Sequence, residues 1–293
     1  MEDFLGGTAT LPPWIVLDPI FKGWLLEDIG RGDRATQALF DRATSRSQAI
    51  WRAKEAGVVA GLPVAARIFE LLDGKSYFLP LVAEGEPCQM GDTIARIEAP
   101  FDILLMGERV ALNIAMRLSG IATATRQYTE QIADLPAQFV DTRKTTPGLR
   151  LLEKYASRVG GALNHRMGLD DAAMLKDNHI QAAGSIKAAI ARVRQNLPYP
   201  LAIEVETSTL AEVRAAVEGG AEIVMLDNMS LEQTMEAVRV TRSLAPHVTI
   251  EASGNITLDN LRAVAETGVD YISSSAPITR STWLDLSMKI AET

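Results

Sequence analysis

Three short apolar runs indicate the fold: LAIEVE at 201–206, IVMLDN at 223–228 and VTIEAS at 248–253. Helical patterns separate them, and one of these, LAEVRAAVEGG at 210–220, ends in the glycine that commonly closes a helix. Buried strands that alternate with amphipathic helices are typical of a parallel sheet. The sequence therefore predicts βα units, with the sheet closed or nearly closed into a barrel.

The same pattern extends in both directions from these runs. FVDTRK (139–144) and AMLKDNHI (173–180) precede them, and DYISSSA (270–276) follows. Each run begins with apolar residues and ends with polar or charged ones. Because the carboxyl ends of the strands form the active-site face of a β/α barrel, we expect these polar ends to form a functional site.

The first 115 residues follow a different, mixed pattern. LPVAARIFELL (62–72) has helical spacing, with a proline near its start. The segment from Met106 to Leu135 predicts one long helix or two shorter ones. This part of the chain is expected to form a separate α/β domain.

Composition limits the class of protein. The chain has 293 residues, 47% of them hydrophobic and 23% charged, with a net charge of -8. The acidic balance argues against nucleic acid or anionic membrane as a partner. No apolar run approaches the roughly 18 residues of a membrane span, and the start, MEDFLGGTAT, does not look like a secretory signal. With Cys88 as the single cysteine, we expect a cytoplasmic protein without disulfides.

Basic residues are concentrated at three of the predicted strand ends. In an acidic protein, such a group suits a ligand with several carboxylates or phosphates, because arginine binds these groups in a bidentate manner. The alternative is a solvated basic edge without a ligand. The group consists of Arg143, Lys144, His165, Arg166 and Lys176.

Glu206 and Asp227 end two successive runs and form the acidic counterpart. Carboxylates at these positions could hold ribose hydroxyls or the waters of Mg²⁺, or stabilise positive charge on a sugar ring. They could also simply pair with the nearby cations. Glu204 points the same way as Glu206, because strand side chains repeat every two residues, and periodicity alone does not decide between them.

Small polar residues follow the last two strands, where barrels commonly bind phosphate. They are the turn Ser253-Gly254-Asn255 and the run Ser273-Ser274-Ser275. Serine and glycine are also ordinary loop residues, so this signal is weak by itself.

Long motifs in a fixed order resemble one family. EDIGRGDRAT (27–36), GERVALNIAMRLSGIAT (107–123), DTRKTTPGLR (141–150) and GGALNHRMGLDDAAMLKDNHI (160–180) are followed by EVE, MLDN and EASGNI. Together they resemble the quinolinate phosphoribosyltransferase family, also called nicotinate-nucleotide pyrophosphorylase (carboxylating), along nearly the whole chain.

The resemblance implies an α/β protein with two domains. An N-terminal α/β sandwich-like domain would cover 1–115, joined by the tail 277–293, and an incomplete, seven-stranded β/α barrel would cover 116–276. It also implies a homodimer with a shared active site, or a higher oligomer, in which Arg109 reaches the partner's quinolinate.

The implied reaction transfers a phosphoribosyl group from phosphoribosyl pyrophosphate to quinolinate, with loss of CO₂, and gives nicotinate mononucleotide for NAD biosynthesis. Mg²⁺ is the implied cofactor, held by Glu206 and Asp227 through water. The implied catalytic residues are Lys144, His165, Lys176, Glu206 and Asp227. The remaining substrate ligands would be Arg109, Thr142, Arg143, Arg166, Ser253, Gly254, Asn255, Ser274 and Ser275.

The sequence departs from the family pattern at three positions. Ser275 and Asn255 stand where glycine is common, and Ala162 interrupts a triple glycine. No charged residue is lost, so the departures concern the phosphate loop and not the activity.

Three other functions remain open. They are a nicotinate-using phosphoribosyltransferase, a non-catalytic anion-binding paralogue, and an aldolase that forms a Schiff base on Lys144 or Lys176. The surplus of cations favours a dicarboxylate such as quinolinate over nicotinate.

Overall fold

The computed structural model describes residues 9–39 and 45–291, and the chain divides into two compact units. The first unit comprises 1–126, 151–161 and 280–293, and the second comprises 127–150 and 162–279. Most of the acidic start, which argued against a secretory signal, lies outside the described residues.

The first unit is a mixed α/β structure, as predicted. Its elements, numbered along the whole chain, are α1 (Trp14–Ile29), α2 (Arg34–Leu39), β1 (Arg46–Ala53), β2 (Gly57–Val58), α3 (Leu62–Asp73), β3 (Tyr77–Pro80), β4 (Pro87–Cys88), β5 (Thr93–Pro100), most of α4 (Phe101–Gln131), most of α5 (Arg150–Val159) and β12 (Leu286–Ile290). Strands β12, β1, β5 and β3 form an antiparallel sheet in that order, and β2 pairs with β4. The segment that predicted one or two helices forms a single helix, α4.

Aromatic residues join α3 to this sheet. Phe69 of α3 and Trp51 of β1 are fully buried. Both rings contact Phe78 of β3, with centroids 6.3 Å and 5.4 Å away, and the Trp51 ring meets Phe78 edge-on. Such pairs add about 0.5–1.5 kcal/mol each beyond the area that they bury.

The second unit repeats strand and helix. Its elements are β6 (Gln138–Val140), β7 (Ala173–Leu175), α6 (Asp177–Ala183), α7 (Ile186–Asn196), β8 (Ile203–Thr207), α8 (Leu210–Gly219), β9 (Ile223–Asp227), α9 (Leu231–Leu244), β10 (Thr249–Ser253), α10 (Leu258–Ala265), β11 (Tyr271–Ser273) and α11 (Ala276–Thr279). The six strands are all parallel, in the order β6-β11-β10-β9-β8-β7. A parallel bridge from Val140 to Leu163 adds a seventh segment at the β6 edge. The predicted incomplete barrel is confirmed.

Alternation along the strands separates the core from the site. On β8, Ile203 and Val205 face the helices and belong to the apolar core, together with Val224 of β9 and Ile250 of β10. The residues between them face the other side of the sheet, because strand side chains alternate. The polar residue at 206 therefore points away from the packed helices.

Several strands are shorter than the apolar runs that predicted them. In the run 173–180, only Ala173–Leu175 is strand, and the chain enters helix α6 at Asp177. The run 139–144 leaves the sheet after Val140, and the run 270–276 leaves it after Ser273. The polar ends of these runs therefore form loops and helix starts, where side chains can turn toward a ligand.

The division into units differs from the predicted domain boundaries, 1–115 with 277–293 and 116–276. The long helix α4 continues past residue 115 without a break, and the first unit extends to Arg126 within it. The first unit also includes 151–161, which lies inside the predicted barrel domain. An uninterrupted helix offers no linker at which sequence patterns could locate a boundary.

Two further features concern the environment of the chain. Within residues 9–39 and 45–291, no helix combines the length and the apolar character that a membrane span needs. Cys88 is a buried free cysteine on β4, and burial raises the pKa of its thiol. A buried thiol with a raised pKa is a poor nucleophile.

Candidate active site at the carboxyl ends of the barrel strands

A cavity of about 580 Å³ opens in the second unit at the carboxyl ends of its strands. This is the end at which β/α barrels carry their active sites. Its lining consists of Thr142, Arg143, Lys144, His165, Arg166, Met174, Lys176, Glu206, Met225, Asp227, Asn228, Ser253, Gly254, Asn255 and Ser273. The structure thus brings together eleven of the fourteen predicted site residues.

The loop after β6 supplies cations to the cavity. Arg150 holds this loop in shape, since its guanidinium donates to the Arg143 carbonyl at 3.4 Å, the Thr145 hydroxyl at 3.1 Å and the Met167 carbonyl at 3.1 Å. The Lys144 amide donates to the Thr142 hydroxyl at 3.0 Å. Arg150 had no predicted role, although its place at the end of the DTRKTTPGLR motif suggests one.

Arg166 adds a second guanidinium to the same wall. It donates to the Ala172 carbonyl at 2.8 Å, while its Nε is buried and has no hydrogen-bond partner among the described residues. Burial, and then the nearby charge of Arg143, lower the pKa of Arg166. Two like charges held close together favour an anion between them.

The predicted carboxylates also line the cavity. Glu206 lies near the end of β8, and its side chain forms an ion pair with Lys176. Asp227 accepts a hydrogen bond at 2.8 Å from the side-chain amide of Asn228. The cavity therefore presents both cations and carboxylates, which suits a ligand with both phosphates and hydroxyls.

A buried layer lies beneath Glu206. His165 is 13% exposed, and its Nε2 lies 3.4 Å from carboxylate oxygens of both Glu204 and Glu251. These three ligand atoms lie within 4.8 Å of one another, a spacing that a metal ion could bridge. Glu204 was one of two candidates in the sequence and Glu251 was missed. The signal was available, because Glu251 stands two residues before Ser253 on its strand and so shares its face.

Charge in this layer favours the imidazolium form of His165. Burial lowers the pKa of His165, but hydrogen bonds and charges from Glu204 and Glu251 outweigh burial and raise it to about 10. The Arg166 amide also faces Nδ1 at 2.7 Å, a contact that suits the neutral ring. The chain forces that contact between neighbouring residues, whereas the carboxylates come from two separate strands, so we assign the charged form.

The predicted phosphate loop is only partly at the cavity. Ser253, Gly254 and Asn255 line it, but Ser273 takes the place expected for Ser274 and Ser275. The Ser274 hydroxyl instead donates to the Ile256 carbonyl at 3.2 Å. The Ser275 carbonyl accepts from two amides of the short helix α11. The strand β11 ends at Ser273, and Ser274 and Ser275 lie in the turn that leads into α11, which explains the difference. The ligand role of Ser274 and Ser275 stays a prediction.

Arg109 does not line this cavity. It lies on α4 in the first unit, its side chain is 60% exposed, and Glu108 is 4.0 Å away. Met174 and Met225 do line it and were not predicted. Met225 stands two residues before Asp227 on β9, and Met174 stands two residues before Lys176, which is still extended just after β7. The period of two in extended chain could have identified both methionines.

Fold and site together define a class of protein: a partial β/α barrel whose strand-end cavity is arranged for an anionic ligand. Two family models match the chain, namely the N-terminal domain of quinolinate phosphoribosyl transferase over residues 33–119 and its C-terminal domain over residues 121–289. The chain belongs to the quinolinate phosphoribosyl transferase family.

Carboxylating nicotinate-nucleotide pyrophosphorylases of other organisms are similar to this chain over nearly their whole length. The probable nicotinate-nucleotide pyrophosphorylase (carboxylating) of Synechocystis is 62% identical over 280 residues, which is 96% of this chain and 94% of that protein. The Homo sapiens nicotinate-nucleotide pyrophosphorylase (carboxylating) is 40% identical and covers 97% and 95%. The crystal structure of NadC from Streptococcus pyogenes superposes with a TM-score of 0.91 at 42% identity, covering 96% and 99%.

A nicotinate enzyme shares the fold at a greater distance. The crystal structure of human nicotinic acid phosphoribosyltransferase superposes with a TM-score of 0.63 at 15% identity, covering 97% of this chain and 75% of that one. Identity this low establishes a common fold and carries no argument about the substrate.

Proposed function

We propose that this protein is an enzyme that transfers the phosphoribosyl group of phosphoribosyl pyrophosphate to quinolinate and releases CO₂, giving nicotinate mononucleotide for NAD biosynthesis. The observation that carries the proposal is the cavity of the second unit, which is lined by both cations and carboxylates at the strand ends. Family membership adds the reaction, since the relatives named above are carboxylating nicotinate-nucleotide pyrophosphorylases.

The first step joins the two substrates. The lone pair of the quinolinate nitrogen forms a bond to ribose C1, and the bond from C1 to the pyrophosphate oxygen breaks, with its electron pair leaving on pyrophosphate. Positive charge develops on the ribose ring during this exchange. Glu206 and Asp227 line the cavity and are suited to stabilise that charge and to accept hydrogen bonds from ribose hydroxyls.

The second step removes a carboxylate. The bond between pyridine C2 and its carboxylate breaks, CO₂ departs, and the electron pair stays on C2, where the adjacent pyridinium nitrogen stabilises it. A proton then replaces CO₂ at C2. The protein needs no covalent nucleophile for either step, because positioning and preorganised charge are sufficient.

The cations have roles in binding and in leaving-group stabilisation. Arg143, Lys144, His165 and Arg166 line one part of the cavity and suit the two carboxylates of quinolinate and the departing pyrophosphate. Neither Arg143 nor Lys144 makes an ion pair within the described residues, so both are open to an anionic ligand. Lys176 is already paired with Glu206, and the ligand would have to share or displace that pair.

Mg²⁺ is the proposed cofactor, and the residues present fit it. Glu206 and Asp227 place carboxylate oxygens, the hard ligands that Mg²⁺ prefers, at the cavity wall. They would hold the ion through water. When bound, Mg²⁺ supplies positive charge that stabilises pyrophosphate as a leaving group.

A homodimer with a shared site, or a higher oligomer, is the proposed assembly, and the cytoplasm is the proposed compartment. The exposed guanidinium of Arg109 on α4 supports a shared site, because this arginine belongs to the motif that resembles the family and does not line the cavity of the second unit. It is then available to the quinolinate of a partner.

The test is an assay of purified protein with quinolinate, phosphoribosyl pyrophosphate and Mg²⁺, in which CO₂ and nicotinate mononucleotide are measured. Nicotinate replaces quinolinate in a parallel reaction, and a chelator replaces Mg²⁺ in another. We expect product from quinolinate only, and none with the chelator. Lys144→Ala should lower turnover at least tenfold, whereas Lys187→Ala, which removes an exposed ion pair on α7, should not.

Each other outcome has a distinct meaning. Product from nicotinate alone would make the protein a nicotinate phosphoribosyltransferase. Binding of either substrate without turnover would indicate an anion-binding paralogue. An imine trapped by borohydride on a cavity lysine would indicate an aldolase and overturn the proposal.

A further inference from the structure

Two asparagines at the cavity rim have an unusual backbone conformation. Asn228 and Asn255 have φ of 54° and 53°, and they are the non-glycine residues with positive φ in the described part of the chain. The left-handed region is unfavourable for residues with a Cβ, though asparagine tolerates it better than most. Strain of this kind is concentrated at functional sites, where surrounding contacts maintain it.

Hydrogen bonds link the two asparagines in a chain that ends on Asp227. The Asn255 amide nitrogen donates to the Asn228 side-chain oxygen at 2.9 Å, and the Asn228 amide nitrogen donates to Asp227 Oδ2 at 2.8 Å. Two further hydrogen bonds hold the backbone of the two asparagines. The backbone N–H of Asn228 donates to the Ser253 carbonyl at 2.9 Å, and the side-chain amide of Asn260 donates to the backbone carbonyl of Asn255 at 3.0 Å.

The ionised carboxylate of Asp227 determines which atoms donate and which accept in this series of hydrogen bonds. An ionised carboxylate only accepts hydrogen bonds, so Asn228 must turn its NH₂ group toward Asp227. Its oxygen then faces Asn255, which must donate. If either amide were flipped, two acceptors or two donors would face each other.

Gly254 makes room for the arrangement. It has φ of 90°, and a Cβ at this position would lie 2.3 Å from the Asn228 side-chain oxygen. The turn between β10 and α10 therefore brings Asn255 to Asn228 only because residue 254 has no side chain.

We propose that Asn228 and Asn255 are positioning residues that fix the orientation of the Asp227 carboxylate, so that Oδ2 is held by the protein and Oδ1 faces phosphoribosyl pyrophosphate. The inference rests on the proposed function, which gives Asp227 its ligand. It explains why two strained residues stand side by side at the rim. A carboxylate held in one orientation does not have to be ordered when the ribose binds. The hydrogen bonds through Asn228 and Asn255 therefore lower the entropic cost of binding.

The decisive variant is Asn255→Gly. Glycine adopts positive φ without strain, so this change removes the donor while the melting temperature stays the same or rises. We expect kcat/KM for phosphoribosyl pyrophosphate to fall about three- to tenfold, as for loss of one hydrogen bond, with KM for quinolinate unchanged. Asn228→Gly should cause a larger loss.

A double-mutant cycle separates a relay from two independent effects. If Asn255 acts through Asn228, Asn255→Gly causes no further loss in the Asn228→Gly background. Asn196→Gly, at the end of α7 and outside the cavity, serves as control for loss of an exposed asparagine and should leave both kinetic constants unchanged.

The possible outcomes distinguish a failure of the proposed function from a failure of the positioning role. A wild-type protein without turnover would sink the proposed function, and this inference with it. An active wild type with an unchanged Asn255→Gly variant would overturn the positioning role alone. Additive losses in the double variant, or an equal rise in KM for quinolinate, would also overturn it.

Discussion

At the scale of single residues, charge and burial act in opposition around His165. Two carboxylates at Nε2, both nearly inaccessible to water, raise the pKa of the imidazole although burial lowers it. Burial also raises the pKa of Glu204, while His165 lowers it. The charged ring and the two carboxylates therefore depend on one another, and removal of one leaves buried charge without compensation.

Glu251→Gln tests this dependence. We expect the pKa of His165 to fall from about 10, because one of the two carboxylates that stabilise the imidazolium is lost. With three histidines in the chain, an NMR titration can resolve His165 from His179 and His247. Glu218→Gln, which removes the partner of Lys187 in an exposed ion pair, is the control and should not change the pKa of His165.

The raised pKa of His165 also has a consequence for stability. A base with a raised folded-state pKa stabilises the fold below its usual pKa, near 6.5, and this contribution is lost as the pH rises through about 10. The wild type should therefore lose stability across that range. A Glu251→Gln variant with the same pH profile would show that the carboxylate is not the cause.

At the scale of elements, two helices illustrate local and distant capping. Helix α8 begins with a capping box, in which the Thr209 hydroxyl accepts from the Glu212 amide at 3.3 Å and the Glu212 carboxylate accepts from the Thr209 amide at 3.1 Å. Helix α3 has no side-chain cap from its own N-cap residue, Gly61. Glu84, far along the chain, instead accepts from the amides of Gly61 and Leu62.

Thr209→Ala should lower the free energy of unfolding by about 1 kcal/mol, because the first turn of α8 loses its cap. Thr209 lies three residues beyond Glu206 but outside the cavity lining, so kcat/KM should stay within about twofold of the wild-type value, as expected for a cap that acts on stability alone. Denaturation followed by circular dichroism measures the first effect. Thr209→Ser keeps the hydroxyl and serves as control; equal losses for both variants would contradict the capping role.

Tyr155→Phe tests the distant cap. Tyr155 donates to the buried Glu84 carboxylate at 2.8 Å, and burial raises the pKa of Glu84 to about 7. An acid with a raised folded-state pKa destabilises the fold as the pH rises from 4.5 through 7. Loss of the donor should raise this pKa further and cost about 1–2 kcal/mol.

The loss in Tyr155→Phe should be larger at pH 8 than at pH 5, because only the ionised carboxylate depends strongly on its donors. Chemical denaturation at the two pH values measures the difference. Tyr199→Phe, at a 97% exposed position, is the matched control. A loss independent of pH would mean that the hydroxyl acts through packing and not through Glu84.

At the scale of the whole molecule, the proposed shared site predicts complementation. Arg109→Ala and Arg166→Ala should each abolish most activity with quinolinate. When the two variants are co-expressed and assemble at random, about half of the dimers contain one subunit of each variant. Each of these mixed dimers has one intact site out of two, so about a quarter of the wild-type activity should return. The test compares the activity per site of the co-expressed mixture with that of each variant alone. If the mixture is no more active than the single variants, Arg109 does not serve a partner's site.

The sequence by itself determined the order of elements and the chemical character of the site. Strand and helix periods are local, so the alternation that predicts the barrel is visible in single runs such as LAIEVE and IVMLDN. Because parallel strands share one carboxyl edge, the polar ends of those runs could be placed together without coordinates. Family motifs then supplied the reaction that these charges suit.

Only the tertiary structure decided which side chains meet and at what depth. Period two puts Glu204 and Glu206 on one face, but only the tertiary structure shows that the first is buried beside His165 and that the second lies at the cavity wall. The links from Asn255 to Asn228 and from Glu84 to α3 join residues far apart in the chain. Such contacts depend on strand register and turn geometry, which no local period encodes.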